Sequence, residues 1–490
     1  MTKKRKSNLR VIGTVCLSFM LLSACKSFLS GTEGPSISGV APSGQYAVNS
    51  AETEIGAAEH PKIVKAYGGI YYNNKLEMMV SKLVGRLVAA SSEPNRPYRI
   101  TILNSPTVNA FALPGGYLYV TRGLLALSND KAELAAVLSH EMAHVTSRHA
   151  LARAEAKKNN ELVSKVMDKM VGQNTKTASV KAKNLVTLAS FSQIQELEAD
   201  KVGIETAYLA GLDPFAASRF LSTMGDYANY LTGRSETNQA SFLSTHPTTP
   251  QRIKAAILTA RRYGGPDIGA KERDDFLDAI DGILFGDSPD EGFVRGNAYI
   301  HPQLRIRFSL PKGYRLENTS KAVLAVAADG TAMRFDGVNV SPDIPLTQYL
   351  TSGWVTGLIT GSIREQNING HSAVLAAAEA KGWTFRIAII RDRSATYRFV
   401  FATTNPNADF ESAIAETVNS FQTLTAAQAK LFKPLQISIV TASRADTIDS
   451  MAAHMDGTDD KKRLFMILNN IDPSQNLKNG QKVKLVVSRY

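Results

Sequence analysis

The sequence predicts several folded units in one chain: a mainly α-helical domain with a small β hairpin or sheet, then an α+β domain, and last a small βααβ domain. Three observations lead there. At 490 residues the chain exceeds what one hydrophobic core organises. Helical spacing of apolar residues dominates between residues 59 and 265, and short strand-like runs dominate beyond residue 297. Between them, Gly264-Gly265-Pro266 and an acidic, glycine-containing stretch from Asp267 to Gly292 mark a boundary, so residues 266–296 read as a linker.

The first residues read as an address. Lys3, Lys4, Arg5, Lys6 and Arg10 precede an apolar run from Val11 to Leu22, the layout of a secretory signal peptide over residues 1–24 and too short to cross a bilayer. The run ends in Leu22-Ser23-Ala24-Cys25, which resembles the bacterial lipoprotein lipobox and implies cleavage before Cys25 and acylation of that cysteine. The alternative is an ordinary signal peptide with an incidental cysteine. Lys26, where an inner-membrane retention signal has Asp, points to the outer membrane of a Gram-negative bacterium, with the folded part in the periplasm. With Cys16 lost in the signal and Cys25 lipidated, no disulfide is expected, so stability must come from packed cores.

The formal charge of +12 includes five signal-peptide cations and no signal-peptide acids, leaving 12 − 5 = +7. That excess is spread out, with no basic block or nucleic-acid motif, so nucleic acid is not an expected partner and weak attraction to anionic lipid or cell-wall polymers is. Residues 25–58 are rich in Gly, Ser, Pro and Ala and read as a flexible tether with a mean reach of about 30 Å.

In the helical domain, Leu76, Met79, Val80, Leu83 and Leu87 form one stripe and predict a helix over 75–90. Tyr98 to Leu103 is strand-like. Asn109 to Leu113 and Tyr117 to Val120 read as two strands joined by Pro114-Gly115-Gly116. A longer helix follows from Lys131 to Ala152, where Leu134, Val137, Leu138 and Val145 recur at helical spacing after a capping-box-like start at Asp130 and Glu133.

That helix carries His140-Glu141-Met142-Ala143-His144. At about 3.6 residues per turn the two imidazoles lie one turn apart on one face and can reach a single metal ion. The pattern reads as a zinc-protease helix, with Glu141 placed to take a proton from a zinc-held water. The alternative is that both histidines are hydrogen-bonded core or surface residues. A third ligand is available at Glu196, on a second helix expected from about Leu188 to Ala207. Asp200 lies one turn on and can accept the remaining ring N–H of a liganding histidine. Glu198 points elsewhere, and His149, about 140° round from His144 on a continuous helix, reads as structural.

Taken together, Asn109-Ala110-Phe111-Ala112-Leu113-Pro114-Gly115-Gly116, His140-Glu141-x-x-His144, Glu196-x-x-x-Asp200 and Thr245-His246-Pro247 followed by Arg252 resemble the zinc-peptidase family of the CAAX prenyl protease, the heat-shock protease HtpX and the periplasmic protease BepA. The resemblance covers residues 59 to 262 and is nearer the soluble periplasmic members, since no run after residue 24 is long enough to span a bilayer. It implies a zincin-like metallopeptidase domain over 59–265, one Zn2+ held by His140, His144 and Glu196, and Glu141 as catalytic base. It also implies that Asn109, Ala110 and Phe111 line the cleft, where an extended substrate pairs with the strand; the alternative for Phe111 is a core side chain. His246 is expected near the zinc, as a gate on the water position or a donor to the oxyanion, with Arg252 steadying that loop or the substrate. Lys157 to Lys183 is either a lid or a solvated helical connection.

Residues 297–428 read as an α+β domain of unknown role, with strands at Leu304–Phe308, Val323–Ala327, Thr384–Arg391 and Thr396–Phe401 and a helix at Ala408–Phe421. The Phe308 to Tyr314 start vaguely resembles small lipoprotein or PsbP-like domains. Residues 433–490 resemble a LysM cell-wall module, through Ile437 to Val440, Asp446-Thr447-Ile448, Leu468-Asn469-Asn470 and Leu477 to Val483, with Ala445 where such modules usually place Gly. That departure leaves peptidoglycan binding and a degenerate docking domain both open.

The expected function is a lipid-anchored zinc metalloendopeptidase in quality control of misfolded or stalled cell-envelope proteins. The rival is a non-enzymatic periplasmic chaperone or cell-wall scaffold with a structural metal site, and the presence of Glu141 argues against it, because a closed structural site needs no base.

Overall fold

The structure is a computed structural model of the chain and describes residues 50–149, 191–233, 242, 246–319, 321–393 and 395–489. The signal peptide, Cys25, the tether up to residue 49 and the Lys157 to Lys183 stretch lie outside the described residues. Everything described falls within one unit, Ala41–Tyr490.

Helix α1 (Ser50–Ala66) covers the last part of the span expected to be a tether. The small residues there serve close packing: a Cβ on Gly56 would stand 2.4 Å from the Pro114 carbonyl oxygen and 2.5 Å from the Tyr117 ring. Helix α2 (Asn74–Ala90) starts at Asn73, whose side chain accepts the Leu76 N–H, and buries Leu76, Val80, Leu83, Val84 and Leu87. Strands β1 (Arg99–Leu103), β2 (Ala110–Leu113) and β3 (Tyr117–Thr121) form a sheet of order β1-β3-β2, with β1 parallel and β2 antiparallel to β3. Strand β2 is therefore an edge. Its turn requires glycine, because Gly116 has φ +79° and a Cβ there would meet the Pro97 carbonyl oxygen at 2.2 Å.

Helix α3 (Arg122–Leu127) leads from β3 into α4 (Lys131–Thr146), whose N-cap is Asp130. The Glu133 N–H donates to Asp130 Oδ1 and Glu133 Oε2 accepts from Asn129 N–H, both at 2.8 Å. Helices α5 (Gln193–Leu209), α6 (Ala216–Gly233) and α7 (Pro250–Ala260) complete the helical layer around α4.

Residues 266–296 are not a plain linker. They contain α8 (Arg273–Ile280), β4 (Leu284–Phe285) and β5 (Phe293–Arg295), and Phe276, Leu277 and Ile280 are fully buried. Two of the acidic residues that suggested a linker face outward, Asp278 on Lys482 and Asp275 on Lys131, while Asp287 turns inward to accept the Val294 N–H. The α+β region follows, through β6 (Ala298–His301), β7 (Ile306–Ser309), β8 (Arg315–Asn318), β9 (Val323–Val326), β10 (Ala332–Val338), the short helix α9 (Leu346–Leu350), β11 (Leu358–Ile368), β12 (His371–Ala380), β13 (Trp383–Asp392) and β14 (Ala395–Thr403). Helix α10 (Ala408–Asn419), β15 (Gln422–Thr423) and the one-turn helix α11 (Ala426–Ala429) close it. Its seven-stranded sheet runs β11-β12-β13-β14-β10-β9-β8 and a smaller one runs β15-β7-β6-β5.

The C-terminal unit is β16 (Leu435–Thr441), α12 (Ile448–Ala453), α13 (Lys461–Asn469) and β17 (Lys482–Ser488), with β16 antiparallel to β17. It is not set apart. Ile437, Met451, Phe465 and Val483 share one buried apolar cluster with Leu134 and Leu138 of α4, and β4 adds to the outer side of β16.

Candidate active site

The two helices that meet at the site cross closely. A Cβ on Gly203 of α5 would stand 2.9 Å from the His140 nitrogen and 3.1 Å from its Cα, and Ser139 Oγ donates to the Gly203 carbonyl at 2.9 Å. Only glycine permits that approach. Glu196 and Asp200 lie on the N-terminal side of this crossing, and the Ser192/Gln195 capping box starts α5 just before them.

His140, His144, Glu196 and His246 each bring one ligand atom to within 4.8 Å of the others, and all four are buried. Nε2 of His140 and Nε2 of His144 stand 3.0 Å apart, and the Glu196 oxygens lie 3.6 and 3.5 Å from them. Four ligands at zinc bond lengths sit roughly 3.3 Å from one another in a tetrahedron, so these donors fit one zinc ion. The electrostatics agree. Burial pushes His144 down to about 3 and His246 down to about 4, so both imidazoles are neutral at pH 7. Burial alone would raise Glu196, but hydrogen bonds from His144 and His246 override it and hold the carboxylate below its usual range. Neutral imidazoles and an ionised carboxylate are the protonation states a metal requires.

Glu141 is turned from the ligand face toward β2. Its carboxylate takes the Ala112 main-chain N–H, and burial, then the Glu196 charge, raise its pKa well above the usual carboxylate range. Around the donors, Asp200 Oδ1 lies 2.9 Å from His140 Nδ1, and Arg252 spans both acids: Nε and Nη2 reach Asp200 at 2.8 and 2.7 Å, and Nη1 reaches Glu196 at 2.7 Å. Arg252 Nη1 also donates to the Pro247 carbonyl, which ties it to the His246 turn.

His246 lies on the cluster itself, with Nδ1 2.9 Å from Glu196 and 3.2 Å from His140 Nε2, and Nε2 3.5 Å from Glu141. Two aromatic rings cover these imidazoles: Phe191 stacks on His144 at 3.9 Å between centroids, and Phe242 stacks on His246 at 4.4 Å. Sequence reasoning gave neither ring a role, since a phenylalanine outside a periodic stripe carries no signal of what it will cover.

Three expectations need correction. The α4 helix does not run on to His149: it ends at Thr146, and Arg148 at φ +53° reverses the chain. His149 therefore folds back, with Nδ1 2.9 Å from Nδ1 of His144 and Nε2 3.5 Å from Glu198. The Phe111 side chain is core, stacked on Tyr119 at 4.8 Å among Tyr67, Leu103 and Leu113, because alternate residues of a strand face opposite sides. Asn109 is buried and donates to the Tyr67 hydroxyl, so its side chain is occupied by the fold. What β2 offers instead is backbone. The Thr121 N–H donates to the Asn109 carbonyl, so the main-chain groups of Ala110 and Ala112 point to the free edge.

Residues 72–259 match Peptidase family M48. The beta-barrel assembly-enhancing protease of Yersinia pestis is 30% identical over 204 residues, covering 39% of this chain and 40% of that protein. Its counterpart in Escherichia coli strain K12 is 30% identical over 191 residues, 37% of this chain and 38% of the other. Mitochondrial metalloendopeptidase OMA1 of Schizosaccharomyces pombe is 32% identical over 179 residues, 36% and 51%. The match thus spans about 40% of the length of the first of these relatives. The solution structure of PsbP from Synechocystis sp. PCC 6803 aligns with 27% of this chain and 95% of its own at 13% identity and a TM-score of 0.20, too low to carry an argument.

Proposed function

From a chain that carries a Peptidase family M48 domain over residues 72–259, we propose a zinc-dependent endopeptidase that cleaves misfolded or stalled proteins of the cell envelope. One observation carries it: the Glu141 carboxylate stands between the donor cluster and the free edge of β2, bonded to the Ala112 N–H. A purely structural site has no use for a buried carboxylate there.

His140, His144 and Glu196 hold the zinc, with Asp200 fixing the His140 ring and Arg252 neutralising the two acids. Bound zinc supplies Lewis acidity toward the scissile carbonyl and lowers the pKa of water. The extended substrate adds to the outward main-chain groups of Ala110 and to the Ala112 carbonyl, the Ala112 N–H being held by Glu141. Glu141 takes the proton of the attacking water and delivers it to the leaving amine nitrogen. Its raised pKa suits both halves of that transfer. His246 closes the resting site and must swing away, or turn to the oxyanion, when substrate enters.

The setting rests on the residues outside the described structure and on the relatives. An acylated Cys25 holds the chain at the outer membrane, facing the periplasm, where the relatives named for barrel assembly suggest envelope-protein substrates. Among the described residues no helix is long and apolar enough to cross a membrane. The 433–490 unit offers the contact to peptidoglycan that its LysM-like motifs suggest.

The test is casein cleavage by the mature chain, wild type beside Glu141→Gln, with zinc content measured in each. Cleavage by wild type alone at equal zinc supports the proposal. Equal cleavage by both refutes the base. If neither cleaves, a gain of activity in His246→Ala identifies a closed site, and its absence favours the scaffold.

A further inference from the structure

Lys484 lies on β17 of the C-terminal unit, yet it is fully buried and its Nζ leaves that unit altogether. It donates to the carbonyls of Ala126, Leu127 and Ser128 at 3.0, 3.1 and 2.8 Å, the last turn and cap of α3. Three acceptors around one nitrogen call for three N–H donors, which the ammonium supplies and the neutral amine does not. Burial, then Arg273, hold the Lys484 pKa well below the usual lysine range against the opposing pull of Glu133 and Asp130, so the ammonium depends on these three acceptors. The lysine backbone is also fixed, with Asn469 accepting its N–H at 2.7 Å and donating to its carbonyl at 2.9 Å.

Helix α3 joins the two walls of the cleft. At its start, Thr121 Oγ1 accepts the Leu124 and Asn109 N–H groups, binding α3 to the head of the edge strand β2. At its end, Ser128-Asn129-Asp130 turns directly into α4, and Arg273 of α8 donates to the Asn129 carbonyl at 2.7 Å. Between these two fixed points the helix has fewer than two turns in which to absorb an error.

We infer that Lys484 is a positioning residue for the metal helix: by capping α3 it sets the placement of α4, and so of His140, Glu141 and His144, against the edge strand. The C-terminal unit is then a working part of the peptidase and not a detachable one, whatever it contacts in the cell wall. The inference rests on the peptidase reading, since the geometry it sets matters only if the cleft reacts.

The test uses the mature full-length chain with Lys484→Ala and Lys484→Met, casein kinetics, and zinc loss to a chelator. Lys484→Ala should lower kcat about 10²-fold with little change in KM, as expected when reacting groups shift by about 1 Å. Zinc retention should fall about 10- to 100-fold, the range for lost support around a ligand. Added n-propylammonium, which replaces the deleted atoms, should restore both, and n-propanol should restore neither. Lys484→Met fills the space without the charge and should stay impaired. Wild-type kcat and zinc retention in either variant would overturn the inference. So would rescue by n-propanol, or unfolding of both variants that n-propylammonium does not reverse, since either makes the residue packing alone. Absence of cleavage by wild type and by His246→Ala alike would sink the peptidase reading instead, with zinc loss still deciding the role of Lys484.

Discussion

Nδ1 of His149 stands 2.9 Å from Nδ1 of His144, so the second metal-site histidine is steadied by another histidine rather than by a carboxylate. The contact exists because Arg148 takes a left-handed conformation and turns the chain back on the helix it has just left. Glu198, 3.5 Å from the far nitrogen of His149, continues the relay to the surface.

Replacing His149 by Phe keeps a ring in place and removes the nitrogen that orients His144. Zinc affinity, read by competition with a chelator, is expected to fall about 10- to 100-fold. An unchanged affinity would make His149 mere packing.

Arg252 is buried against Asp200 and Glu196, with two hydrogen bonds to the first and an ion-pair contact with the second. Arg252→Met leaves two carboxylates in the interior without their cation. The expected loss is about 3–5 kcal/mol of stability in urea unfolding of the zinc-free chain. A loss below about 1 kcal/mol, the range of a surface pair, would contradict the arrangement.

Glu133 gives the stability a pH signature. Burial, then the Asp130 carboxylate, push it up to about 7 from 4.5, against the pull of Arg219 and Lys484. A raised folded pKa favours the protonated folded chain, so this stabilisation is complete below pH 4.5 and lost as pH rises to about 7. The slope approaches about 1.4 kcal/mol per pH unit, the linkage of one proton. Glu133→Gln should flatten urea-unfolding stability between pH 5 and 7 relative to wild type; parallel curves would show that the group is ionised throughout.

Cys25→Ser should abolish labelling by a fatty-acid analogue in a Gram-negative host and release the chain from the membrane fraction. Retention in that fraction without label would mean that another contact anchors it.

The sequence by itself determined the elements and the chemistry whose signals are local. Helical spacing located α2, α4 and α5, and the one-turn spacing of His140 to His144 and Glu196 to Asp200 put the right groups on facing surfaces. In the α+β region, β13 and β14 were legible from their aromatic and β-branched residues. Alanine-rich β12 and the polar, exposed edge strand β11 were not, because their pairing comes from neighbours rather than from their own pattern. Only the tertiary structure decided which atoms meet. Gly56 reads as flexibility until Tyr117 and Pro114 stand against it, and the acidic stretch around α8 reads as linker until Lys131 and Lys482 face its outer side. Phe191 on His144 and Lys484 on α3 join residues far apart in the chain. Such contacts depend on the direction of whole elements in space, and no spacing along the chain encodes them.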